Sequence, residues 1–219
     1  MPWDIAVTKS GDLVYTDYAD HTVNIVKGKN IDVQELIRLQ QWKPVSVFFP
    51  SSGDLLLIMD SDDNKQTKVL RYSDYKENQS IQFNEKGQPL YSSDGNIKYI
   101  GIQYNRNRDI CVSDCAAHSV VVVNKSGSMR FIYPQDGYST TEQIFNPYGI
   151  TTNSQGRILT ADYNNDRIHI LDQDGQFLRY IDNCDIKNPW GLCLDTKGNL
   201  IVAQNKSSKI KKISYSKPK

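Results

Sequence analysis

Apolar and polar residues alternate over short stretches of this chain, and the alternation restarts at a fixed interval. The clearest stretch is Arg157-Ile-Leu-Thr-Ala followed by Arg167-Ile-His-Ile, whose period-two patterning predicts two half-buried strands. The turns Ser154-Gln-Gly and Thr196-Lys-Gly place glycine where a tight turn requires a positive φ. A second glycine turn, Asp174-Gly-Gln, leads into Phe177-Leu-Arg-Tyr-Ile. One repeat therefore predicts strands at 149–153, 157–162 and 167–172, with a fourth beginning at Phe177. Helical periodicity is nearly absent, and residues 33–39 fit an outer strand better than a helical turn.

The same phrase returns five times, as in Pro2-Trp-Asp-Ile, Pro147-Tyr-Gly-Ile and Pro189-Trp-Gly-Leu. The spacings Gly11 to Gly53 and Gly156 to Gly198 are both about 42 residues, the period of a stacked or radial repeat. An apolar residue lies six positions before each turn: Ile5, Val47, Ile150 and Leu192, with Ile102 before Arg108 in a degenerate middle copy. A polar residue follows the turn: Asp17, Asp60, Asp114, Asp162 and Gln204. Four antiparallel strands per period define a propeller blade. The fold expected is all-β, a β-propeller of four-stranded antiparallel blades covering 1–215. Its blades run about 1–41, 42–93, 94–145, 146–187 and 188–215, and a basic tail occupies 216–219. The last repeat lacks its outer strand, so an incomplete six-bladed ring is expected, with a five-bladed ring as the alternative.

Composition narrows the classes of function. The 219 residues carry 26 basic and 25 acidic groups, a net charge of +1, so whole-molecule charge gives no basis for affinity to nucleic acid or membrane. No apolar run reaches spanning length, and the opening Met-Pro-Trp-Asp does not read as a signal peptide. Cys111, Cys115, Cys184 and Cys193 are too few for a disulfide scaffold, and buried or half-buried free thiols in a reducing, cytoplasmic setting are expected.

The fourth repeat carries Asn146-Pro-Tyr-Gly-Ile, Gly156-Arg-Ile-Leu-Thr-Ala-Asp, Asn165-Asp-Arg-Ile-His-Ile and Asp174-Gly-Gln-Phe. These phrases resemble the NHL repeat, and Pro2-Trp-Asp-Ile-Ala-Val with Ser51-Ser-Gly-Asp-Leu-Leu is similar to the propellers of molluscan tripartite-motif (TRIM-NHL) proteins. The resemblance covers nearly the whole chain. It implies a propeller that binds target protein or RNA, within E3 ubiquitin ligases that carry a RING and B-box. Neither module is present in this sequence, and the middle repeat lacks the Pro. Ligase activity is implied for a RING-bearing parent, with this chain as its substrate-recognition part.

The candidate chemistry follows from the register. An aspartate repeated at one place in four of the five blades suits loop capping better than catalysis, which needs its group once. His21, His118 and His169 do not supply the three convergent ligands of a catalytic zinc, as a lyase with NHL-type blades would require. No nucleophile elbow, Walker or dinucleotide pattern occurs. No metal, cofactor, membrane or small-molecule substrate is expected.

The loops entering the first strand and following the second open on one face of a propeller. They bring Trp3, Asp4, Lys43, Tyr148 and Trp190 together with Tyr18, Tyr163, Asn164, Arg167, Asn205, Lys206 and Lys209. Aromatic residues with Arg suit a protein interface. The same types suit single-stranded RNA, the alternative ligand. The expected function is a non-catalytic module that recruits a protein target. Lys212 occupies the register of Ile25, Val122 and Ile170 and is expected to point inward, protecting an edge strand.

Overall fold

The alternating stretches form nineteen strands in a computed structural model that describes residues 2–28, 32–50, 53–92, 100–134 and 144–215. The tail at 216–219, Ser51 and Ser52, and parts of the third repeat (94–99 and 135–143) lie outside the described residues. The chain divides into two compact units, Met1–Ile97 and Lys98–Lys219.

The first unit holds two four-stranded sheets. One is β1 (Pro2–Val7), β2 (Leu13–Asp17), β3 (Thr22–Lys27) and β4 (Asp32–Arg38); the other is β5 (Trp42–Phe48), β6 (Leu55–Ser61), β7 (Thr67–Ser73) and β8 (Lys76–Ile81). The second unit holds three sheets. They are β9 (Ile100–Tyr104) to β12 (Met129–Tyr133) through β10 (Ile110–Asp114) and β11 (Ser119–Val123); β13 (Pro147–Thr152) to β16 (Phe177–Ile181) through β14 (Ile158–Asp162) and β15 (Arg167–Leu171); and β17 (Pro189–Leu194), β18 (Leu200–Gln204) and β19 (Lys209–Ile213). Strands pair antiparallel with their chain neighbours throughout, the topology of propeller blades. The molecule is thus an all-β propeller protein, as its repeats predict, with the last sheet three-stranded among the described residues.

Burial follows position in the blade. Every residue of β10, β11 and β14 is buried, because these middle strands have neighbours on both edges and both faces. The outer strand β4 is mostly exposed. The first unit's core gathers Val14, Val23, Ile25, Val47, Leu57 and Met59 between its two sheets. The second unit's cores gather Cys111, Val120, Val122, Ile150 and Ile158, and then Leu159, Ile168, Ile170, Leu200 and Val202. Each fully buried aliphatic side chain contributes about 1.5–3 kcal/mol of transfer free energy.

The repeated proline has a physical role. The pairing of first and second strands slips by a bulge at Pro2/Ile5, Pro44/Ser46, Pro147/Ile150 and Pro189/Gly191. Proline donates no ladder hydrogen bond, so it sits where the ladder is already interrupted. The middle repeat has no such Pro, and β9 pairs with β10 from Ile100 to Tyr104 without a slip.

Lys212 pairs in the register foreseen, opposite Ile201, but its side chain does not turn inward. It is 58% exposed and bonds Asp195 at 2.6 Å. Ile210, on the same face, is 76% exposed where Val23, Val120 and Ile168 are fully buried.

Candidate functional site

The loop after each second strand is built by the backbone. The fourth residue beyond the repeated polar position has a left-handed conformation in every blade: His21 (φ 58), Asn64 (φ 54), His118 (φ 52), Asp166 (φ 55) and Ser208 (φ 51). Asn, Asp and His are enriched in that region, which accounts for histidines recurring there. The aspartates cap the same loops. Asp17 Oδ1 accepts from the amides of Ala19 and Asp20 at 3.1 Å, and Asp114 Oδ1 accepts from Ala117 at 3.1 Å. The tight turn before the second strand also needs a left-handed residue. Gly156 supplies it at φ 81, and Arg108 takes the same conformation (φ 62) in the degenerate repeat.

In the first unit these loops assemble an aromatic pair. Trp3, 40% exposed, stacks on Tyr18 with centroids 5.1 Å apart. The Tyr18 hydroxyl donates to Asn64 Oδ1 at 3.4 Å, and burial, reinforced by Asp60 and Asp62, holds it above the ordinary phenol range. Lys43 Nζ lies 5.4 Å from the Tyr18 ring centre and donates to the Asp62 carbonyl at 3.1 Å. Asp4 is not part of this surface. Its Oδ2 accepts from Ser46 Oγ at 2.7 Å and the Val47 amide at 2.9 Å, tying β1 to β5. Burial pushes its carboxyl above the ordinary value, against these hydrogen bonds.

The second unit gathers more of the candidates. Tyr148 lies 4.8 Å from Tyr163 and 4.5 Å from Trp190, and Tyr163 meets Trp190 edge-on at 5.7 Å. All three rings are half-buried, so they pack on one another and still face solvent. Lys206 Nζ stands 6.0 Å from the Tyr163 ring centre, and Asn164, Asn205, Lys206 and Lys209 are exposed on the loops and strand end around it. Glycine makes the cluster possible. A Cβ on Gly149 would sit 2.4 Å from the Trp190 carbonyl oxygen and 2.8 Å from the Leu192 nitrogen, so β13 and β17 approach backbone to backbone.

Arg167 is placed differently from the expectation of an open loop face. Its guanidinium lies 4.2 Å from the Tyr180 ring centre, and its Nε donates to Asp162 Oδ2 at 3.1 Å with the side chain 18% exposed. Asp162 draws it in. That buried carboxylate also accepts from His169 Nε2 at 2.9 Å, from Asn165 Nδ2 at 2.9 Å and from the Asn146 amide at 3.1 Å. Burial works to raise the Asp162 carboxyl, and the His169 bond with the other donors outweighs it, leaving the group below the usual range. Burial also lowers His169, outweighing its carboxylate partner, so the ring is neutral near pH 7. The network then assigns the proton to Nε2, with Nδ1 accepting from the Tyr133 hydroxyl at 2.9 Å.

The other histidines have local partners: His118 Nδ1 contacts the Phe145 carbonyl at 3.1 Å, and His21 Nδ1 lies 3.6 Å from Asp62. Among the described residues no group of three or more His, Cys, Asp or Glu side chains is arranged to hold a metal. All four cysteines are free. Cys193, expected to be at least half-buried, is exposed, since its side of β17 is uncovered among the described residues, while burial pushes the Cys111 thiol well up. The sequence reading missed Trp42, whose ring lies 3.8 Å from Lys68 Nζ.

These blades and loop geometries define a β-propeller with one strand–turn–strand unit repeated from blade to blade. The chain is 28% identical over 111 residues to the Drosophila melanogaster protein brain tumor, half of this chain and 11% of that protein. It is 27% identical over 111 residues to the Caenorhabditis elegans B-box type zinc finger protein ncl-1, half of this chain and 13% of that one. The chain is thus similar, over half its length, to proteins of the TRIM-NHL type that its repeat phrases resemble. It spans only about an eighth of the length of these curated relatives. No family model matches. Among solved structures, a streptogramin B lyase superposes with a TM-score of 0.70 at 15% identity, over 99% of this chain and 70% of that one. A luciferin-regenerating enzyme superposes with a TM-score of 0.72 at 11% identity, over 99% and 78%. At such identities the likeness carries the fold alone.

Proposed function

We propose that this chain is a non-catalytic binding module that recruits a protein target through Tyr148, Tyr163 and Trp190, as the substrate-recognition part of a TRIM-like E3 ubiquitin ligase in the cytoplasm. The observation that carries this reading is the three-ring contact between the first strands of neighbouring blades and the loop after β14, half-exposed and bordered by Asn164, Asn205, Lys206 and Lys209. Rigid aromatics that bury large area with little entropy loss dominate protein interfaces. The B-box in the name of one relative supports a parent of this kind, and four free thiols support a reducing compartment. A second reading, RNA binding in post-transcriptional regulation, draws on Lys206 beside the Tyr163 ring, an arrangement that suits a stacked base and its phosphate.

The double change Tyr163→Ala with Lys206→Ala tests both. Immobilised wild-type chain is expected to enrich discrete proteins from a lysate, and the variant to lose them by about thirtyfold, the scale of a hot-spot residue. The variant's melting temperature should stay within about 2 °C. Undiminished capture by the variant rejects the site. Capture that disappears on ribonuclease treatment replaces the protein target with RNA.

A further inference from the structure

A second site lies away from the aromatic cluster, in a cleft of about 1040 Å³ between the β13–β16 sheet and the β17–β19 sheet. Three cations line it, Arg157, Arg179 and Lys197, together with Asn183 and Thr196. Its apolar wall is Ile181, Leu194 and Ile213. Arg157 and Lys197 have no side-chain hydrogen bond or ion pair among the described residues, and Arg179 donates to the Tyr215 carbonyl at 2.6 Å and the Tyr180 carbonyl at 3.3 Å. The cleft's carboxylate, Asp195, is already engaged by Lys212 at 2.6 Å and by Asn199 Nδ2 at 2.9 Å.

The preceding junction shows that this opening is specific to one place in the repeat. There, β12 presents Phe131 opposite Val122, in the register where β16 presents Arg179 opposite Ile170. Phe131 is buried, its ring lying 2.5 Å from where a Gly175 Cβ would be. Beside it Arg130 is neutralised twice, by Asp109 at 2.5 Å and Asp174 at 2.6 Å. One junction is closed by an aromatic ring and paired charges. The next keeps the space open and leaves cations facing into it.

We propose that this cleft binds an extended peptide segment bearing a phosphorylated serine or threonine. Arginine forks match phosphate oxygens in two-point contacts, and clusters of Arg and Lys are the usual means of reading a phosphorylated residue. Three cations suit a group of charge near −2 better than a single carboxylate. The apolar wall has room for a neighbouring side chain. No exposed ring lines the cleft, Tyr215 being buried, so a nucleic-acid base finds no stacking platform there.

Fluorescence anisotropy on the intact chain tests the proposal with three probes: a degenerate peptide pool centred on phosphoserine, its unphosphorylated twin and a single-stranded RNA of mixed sequence. The phosphopeptide pool is expected to bind at least about tenfold more tightly than its twin, and millimolar inorganic phosphate to compete. Arg157→Ala with Lys197→Ala, which removes no side-chain hydrogen bond or ion pair among the described residues, should reduce binding about tenfold with a nearly unchanged melting curve. Tyr163→Ala with Lys206→Ala should leave phosphopeptide affinity as it is, separating this site from the aromatic one. Equal affinity for the two peptide pools overturns the proposal. So does unaltered binding in the Arg157/Lys197 variant, or RNA binding that this variant abolishes.

Discussion

At the junction of β1 and β5, Asp4 reaches across with its carboxylate to the Ser46 hydroxyl and the Val47 amide. At the junction of β13 and β17 the same repeat position is Gly149, and the space a Cβ would need is taken by the Trp190 carbonyl and the Leu192 nitrogen. Val47 and Leu192 hold equivalent places, each six residues before its turn glycine. One junction therefore meets the neighbouring strand with a charged hydrogen-bond acceptor, and the other brings the two backbones together directly. The β9–β13 junction follows the second pattern: Gly101 donates its amide to Ser113 Oγ at 3.0 Å, and that hydroxyl donates to the Tyr148 carbonyl. At these three junctions the residue at this one repeat position decides how neighbouring first strands meet. Close approach is also what sets Tyr148 and Trp190 ring to ring.

The sharpest way to break the comparison is Gly149→Ala. Its methyl group would meet backbone that no rotamer change can clear, and a loss of about 3 kcal/mol in urea unfolding is expected. A loss below about 1 kcal/mol would show that the junction can open freely. Next in size is Asp4→Ala, which strips two donors of their acceptor in a partly buried place and should cost about 2 kcal/mol. The smallest effect is a matter of pH. Burial raises the Asp4 carboxyl above its unfolded value of 3.8, so its favourable contribution is complete below that pH and is lost as pH rises through the folded value. Asp4→Asn, which keeps one acceptor and carries no charge, should therefore gain on the wild type between pH 3.8 and neutrality when stabilities are compared at each pH. A gap that widens against the variant over that range would mean that the ionised form is the favoured one.

Much of this architecture is legible in the repeats. The strand from Phe177, the second strand ending at Asp162 and the assignment of 33–39 to an outer strand follow from alternation and turn glycines, and all are strands in the structure. The aromatic cluster is legible too, because Tyr148 and Trp190 follow the prolines of adjacent repeats. What pattern does not reveal is where a polar side chain turns. Arg167 stands on a loop-facing strand end, yet Tyr180 on the next strand and the carboxylate of Asp162 draw it inward. Asp4 sits beside an exposed Trp, yet its partners lie 42 and 43 residues away on another blade. Trp42 escaped notice because the second repeat carries an extra residue, which puts Asp60 seven positions after Gly53 and shifts Lys68 out of frame. The open cleft likewise depends on Arg179 replacing an aromatic residue, a difference that acquires meaning only once β12 and β16 are seen in the same register.

The left-handed residue in each loop, from His21 to Ser208, has a consequence for how such a molecule diversifies. The hook is held by dihedral angles, and five different surroundings already carry it with His, Asn, His, Asp and Ser at its tip. Neighbouring loop residues are then free to be exchanged without changing the curve that presents them. A propeller of this kind works as a display frame: new recognition chemistry can be grafted one loop at a time, blade by blade, while the sheets beneath continue to fold as before.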